Sequence, residues 1–123
     1  MRNNFLERLE FLEKQALDDG IIVNRESEFS MFYFLDVNGV EKYPFLFLTD
    51  VGLFRIVWKD NLSRLSLMFF NNDLVQYTII RKNLDKNGNS FYDSIAGKAD
   101  FEEVLRIINN YNLNFLLWDK NES

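Results

Sequence analysis

The sequence predicts an α+β fold: an antiparallel β-meander of four or five strands, one or two N-terminal helices, and a C-terminal helix packed on one face. Three observations carry this. Between Gly52 and Arg81, apolar and polar side chains alternate, with breaks at Asp60-Asn61 and Asn71-Asn72-Asp73, which is the patterning of short strands joined by turns. Over residues 4–17, apolar side chains recur at three- and four-residue spacing. Asp100-Phe101-Glu102-Glu103 has the form of a capping box, with Asp100 as N-cap and Glu103 at the third helical position.

In chain order, the first helix has an apolar stripe of Phe5, Leu6, Leu9, Leu12 and Ala16. Phe11 falls opposite that stripe, about 200° from Leu9 at about 100° per residue, and is a candidate partner contact. Asp18-Asp19-Gly20 ends the helix, with Gly20 suited to a left-handed cap. Residues 25–37, RESEFSMFYFLDV, carry an almost unbroken apolar run over 31–35, so periodicity does not choose between helix and strand. Val37-Asn38-Gly39 read as a hairpin turn favours a strand, whereas Asn24 or Ser27 as an N-cap favours a helix. Both readings bury the segment on most sides. Pro44 stands at a strand start, Phe45–Thr49 forms a short strand, and Asp50-Val51-Gly52 turns into the meander.

Register follows from matching faces. A two-residue loop at Asp60-Asn61 sets Ile56 opposite Leu65 and Phe54 opposite Leu67. A three-residue loop at Asn71-Asn72-Asp73 sets Phe69 opposite Val75, Leu67 opposite Tyr77 and Leu65 opposite Ile79. A two-residue loop there would put unlike faces together, because a one-residue slip inverts every side chain. The expected core face therefore joins Phe54, Ile56, Trp58, Leu65, Leu67 and Phe69 to Val75, Tyr77 and Ile79. Asp85-Lys86-Asn87-Gly88 is a turn, Phe91–Ala96 a further strand, and 113–118 an added strand or a tail tucked onto the sheet.

Composition bounds the function. At 123 residues with 47% hydrophobic and 16% aromatic content, the chain is read as one domain, 1–123, with ample apolar area for a core. It has neither Cys nor His, so thiol nucleophiles, disulfides, zinc-thiolate sites and the commonest general base are excluded. No apolar run is long enough to span a bilayer and the first residues lack a signal-peptide core, so no membrane association and a cytoplasmic location are expected. Net charge is -5, and the acids concentrate at the two ends. Repulsion from phosphate backbones disfavours nucleic acid as a partner and favours a basic protein.

Motifs for chemistry are absent or better explained structurally. Asp85, Asn87, Asn89 and Asp93 imitate the start of a calcium loop, but Ser90 stands where glycine is needed and Ala96 where the bidentate glutamate should be. The acid pairs Asp18-Asp19, Glu26/Glu28 and Glu102-Glu103 lie at helix or strand ends. Arg81, Lys82, Lys86 and Lys98 beside Phe91 and Tyr92 make a small basic patch, read as a solvated loop. No catalytic residue, cofactor or metal is therefore expected. The reverse face of the meander is the first candidate contact surface, with Arg55, Val57, Lys59, Arg64, Met68 and Gln76 mixing cations with apolar neighbours as protein interfaces do.

Leu17-Asp18-Asp19-Gly20, the 26–37 segment, Pro44 and the span from Gly52 to Trp58 together resemble a family of small uncharacterised bacterial and phage proteins. Its members carry a Trp-Asp-Gly-type motif, a helix, a proline and a Gly-x5-Trp strand that begins a meander; Leu17 stands here where the motif has Trp. The resemblance implies a helix over 26–37 and a mobile-element or conflict-system setting, with no assigned activity. The expected function is a non-enzymatic, acidic protein-binding module: an immunity protein, antitoxin or phage-encoded inhibitor that neutralises a basic toxin or nuclease. The alternative is a structural homo-oligomer, or a mobile-element protein without a neutralising role, associating through the reverse face or an edge strand.

Overall fold

A computed structural model describes residues 2–119. The element order is α1 (Arg2–Asp19), α2 (Arg25–Val37), β1 (Phe45–Leu48), β2 (Phe54–Lys59), β3 (Ser63–Phe69), β4 (Val75–Leu84), β5 (Ser90–Ala99) and α3 (Phe101–Asn110), then a 3-10 turn at Asn114–Leu116. The five strands form one antiparallel sheet in sequence order, an α+β meander. One face is covered by α2, over β2 and β3, and by α3, over β4 and β5, while α1 packs beside β1.

Residues 25–37 form a helix. Asn24 accepts a hydrogen bond from Ser27 N at 3.0 Å as N-cap, and Glu26 and Glu28 complement the first turn. The turn expected at Val37-Asn38-Gly39 is instead a helix C-cap, in which Gly39 N donates to Asp36 O and Val40 N to Leu35 O. The same paired bonds close α1 at Gly20 and α3 at Asn112, each in the left-handed region where the motif requires it. In α1 the buried stripe is Phe5, Leu9, Leu12 and Ala16; Leu6 lies off it and is exposed.

The second hairpin has the expected register, Phe69 opposite Val75 and Leu67 opposite Tyr77, with Asn72 and Asp73 at positive φ in its loop. The first hairpin differs by two residues: Ile56 faces Leu67 and Trp58 faces Leu65. Asp60 is the reason. Its carboxylate accepts from Leu62 N and Ser63 N, so the tight loop falls at Asn61-Leu62 rather than Asp60-Asn61. A shift of two preserves the faces, so the core assignment stands. The last strand runs well past Phe91–Ala96, from Ser90 to Ala99.

The core lies between the sheet and the helices. Phe34 of α2 meets Phe69 of β3 with ring centroids 5.7 Å apart and Phe101 at 5.3 Å edge-on. Ser27 ties α2 to the sheet: its hydroxyl donates to Phe69 O at 2.7 Å and accepts from Phe54 N at 2.9 Å. The segment after α3 tucks in rather than adding a strand. Leu117 O accepts from both Glu41 N and Lys42 N, and the indole of Trp118 donates to Asn38 O. Among the described residues, no helix is long and apolar enough to cross a membrane.

Candidate protein-binding surfaces

Two surfaces stand out, and they differ in charge. The first is the uncovered sheet face. Alternation along the paired strands places Arg55, Lys59, Arg64, Lys82 and Lys98 there, five cations with no acid among the strand residues of that face. Val57, Met68 and Gln76 lie between them, so six of the seven residues expected to contact a partner share this face. Phe11 does not; it projects from α1 with the Arg8 guanidinium 5.5 Å from its ring centre.

The long cationic stems largely cover this face. Arg55 lies over Phe47 at 5.5 Å, Lys59 over Phe45 at 5.5 Å and Lys98 over Phe70 at 5.0 Å, each cation seated above an apolar ring. Val57 is buried beneath its neighbours, and Arg55 Nε is buried without a hydrogen-bond partner among the described residues. A depression of about 540 Å³ opens between Lys59, Arg64, Ile80, Lys82 and Tyr92. Arg81 faces the opposite side of β4 from Lys82, so the basic loop patch read from the sequence is divided between two faces.

The second surface was not legible in the sequence. α2 turns Ser27 (0% exposed) and Ser30 (5%) towards the sheet together with Met31, Phe34 and Leu35, while Phe29 (70%), Tyr33 (49%) and Val37 (58%) face outward. At spacing i, i+4, i+8 these three make one ridge. Phe29 stacks on Tyr33 at 6.2 Å, and Tyr33 on Phe101 at 6.2 Å, so the ridge continues onto α3. The segment is therefore open on one side, not buried on most. The signal that marks the ridge is the pair of serines on the opposite flank of an otherwise aromatic helix.

The two helices that carry the ridge, α2 and α3, hold five acids against two bases, and the three helices together ten against five. Some of these charges are paired: Arg25 bonds Glu13 and Glu28, Arg106 bonds Glu103, and Arg2 bonds Asp36 and Tyr43. Hydrogen bonds to Glu13 and then Glu28 raise the Arg25 pKa above its ordinary value. These are exposed pairs and contribute little to stability.

Several of the carboxylates in these motifs have local duties. Asp100 accepts from Glu103 N as the N-cap of α3, while the Glu103 side chain bonds Arg106 rather than reaching back. Asp85 accepts from Asn87 N and Asn89 N, holding the β4–β5 turn where a calcium loop would need its oxygens free. Among the described residues, no three His, Cys, Asp or Glu side chains are grouped to hold a metal ion. No family model, curated protein or solved structure matches the chain.

Proposed function

We propose that this chain is a non-enzymatic protein-binding module of the inhibitor, immunity or antitoxin type, and that it engages a basic partner through the α2 ridge. The observation that carries this is the orientation of α2, which gives two serines to the core and two aromatics to water. Leaving Phe29 and Tyr33 outside forgoes most of the apolar burial that two such rings can supply, whereas aromatics held rigid by stacking are the usual anchors of protein interfaces. The surrounding acids would steer a cationic partner to the ridge and speed encounter at low salt. Resemblance to proteins of a mobile-element or conflict setting supports the same class.

The sheet face would repel such a partner, since it presents five like charges. Its charge favours a second reading, in which Arg55, Lys59, Arg64, Met68 and Gln76 receive an acidic protein surface above the buried Val57. The two readings separate in one binding experiment on the tagged chain in lysate of the cells that carry its gene. The ridge reading expects a stoichiometric partner of high isoelectric point, retained by R55E/K59E and lost by F29E/Y33E, with affinity down about 100-fold or more for two anchors. No stoichiometric partner, or one that F29E/Y33E still retains, would overturn it.

A further inference from the structure

We propose that β5 is a self-complementary edge, at which a second copy of this chain adds its own β5 antiparallel to the first about a two-fold axis at Ile95. The inference does not rest on the α2 ridge, and either can fail alone. The two edges of the sheet are treated differently. At β1, a four-residue strand, α1 packs alongside and Arg8 Nε donates to the outward carbonyl of Leu46 at 3.2 Å. At β5, ten residues pair with β4 in unbroken register, and among the described residues nothing hydrogen-bonds to the far side. The strand contains no proline and no bulge, and its only lysine is Lys98. A long, regular, uncovered edge is a template for another strand.

Backbone direction fixes which groups are available. Asp85 N donates to Asn89 O, so by antiparallel alternation the odd-numbered residues of β5 bond to β4. Ser90, Tyr92, Ser94, Ala96 and Lys98 therefore turn their N–H and C=O outward. Side-chain faces match across a two-fold only when paired numbers sum to an even total, and one such register overlaps nearly the whole strand. It sets Ile95 against Ile95, Ser94 against Ala96, Asp93 against Gly97, Tyr92 against Lys98 and Phe91 against Ala99. Apart from the Ile95 pair, each large or charged group meets a small one or a complementary one: Tyr92 offers the Lys98 ammonium a second ring beside that of Phe70, and no like charges oppose each other. Moving the axis to Ser94 puts Phe91 against glycine and Asp93 against isoleucine. Moving it to Ala96 runs Tyr92 into Asp100, the N-cap of α3.

An exposed arm fits the same pairing. β3 pairs with β4 only as far as Arg81, so Lys82–Leu84 and Ser90–Tyr92 extend as a two-stranded ribbon. Leu84, Phe91 and Tyr92 are exposed on it, and the chosen register lays Phe91 and Tyr92 along the small-residue end of the other copy. The resulting ten-stranded sheet joins two cationic faces into one.

The chain has no cysteine, so single introduced thiols report register directly. In this register the Ile95 pair is of the non-hydrogen-bonded type, with Cα atoms about 4.5 Å apart, inside the span a disulfide bridges. Under mild oxidation I95C should crosslink to a covalent dimer on the order of tenfold faster than S94C or A96C, which mark the two slipped registers. A96P deletes an outward N–H on an edge position where proline leaves the β4 pairing intact. It should keep the wild-type circular dichroism and sediment as a monomer at micromolar concentrations where wild type is a dimer. A wild-type chain that stays monomeric to several hundred micromolar, a folded A96P that remains dimeric, or S94C or A96C crosslinking faster than I95C would overturn the proposal. Should A96P fail to fold, the three cysteine variants decide the matter by themselves.

Discussion

Replacing Gly52 with alanine should destabilise the protein by roughly 2–5 kcal/mol, combining about 1–2 kcal/mol for a left-handed non-glycine residue with about 1–3 kcal/mol for overpacking. Gly52 sits at φ +84 in the turn before β2, and a Cβ there would lie 2.1 Å from Ile22 O. That oxygen belongs to the link between α1 and α2, which cannot simply move aside. Asn24 N donates to Gly52 O at 2.9 Å, and Asn24 is the N-cap of α2. Strain at one glycine thus reaches the start of the helix that carries the ridge. Urea unfolding with an unchanged m-value would check it; a loss under 1 kcal/mol would mean the link yields freely.

The second large effect is expected at Ser27. S27A removes a hydroxyl that satisfies two buried backbone groups at once, Phe54 N and Phe69 O. Leaving buried polar groups without partners costs about 1–3 kcal/mol each. Even with partial relaxation the variant should lose about 2–4 kcal/mol by the same accounting. The prediction is specific, because S27A deletes no apolar contact and alanine favours the helix by a few tenths of a kcal/mol. Amide exchange offers a second readout: Phe54 N–H should exchange faster by more than the global loss of stability accounts for. A neutral substitution would show that the serine's place under the helix is incidental.

These two residues also mark how much the sequence disclosed. The meander and its two faces were readable because Asn and Asp punctuate alternating strands, and Asn72 and Asp73 take the positive φ that a three-residue loop requires. Alternation places the first hairpin two residues off because the turn is fixed by the Asp60 side chain bonding forward, and a shift of two leaves both faces unchanged. For α2 the difficulty was more basic. A run of apolar residues says that something is buried, but which flank is buried depends on the surface the helix meets. Here small serines allow a close approach to the sheet, so Phe29 and Tyr33 are left outside. The opposition between an acidic helical layer and a cationic sheet face is likewise a property of the fold. Net charge alone reports only their sum.

The ridge and the sheet face can be set against each other directly by placing a photo-crosslinking phenylalanine analogue at Tyr33 in one variant and at Ser66, in the middle of the open sheet, in another. Irradiated in cells that carry the gene, the Tyr33 probe should give one discrete adduct with a basic protein. That adduct should disappear when Phe29 is also changed to glutamate, and the Ser66 probe should give none. A discrete adduct from Ser66 with none from Tyr33 would contradict the account and move the binding surface to the cationic sheet.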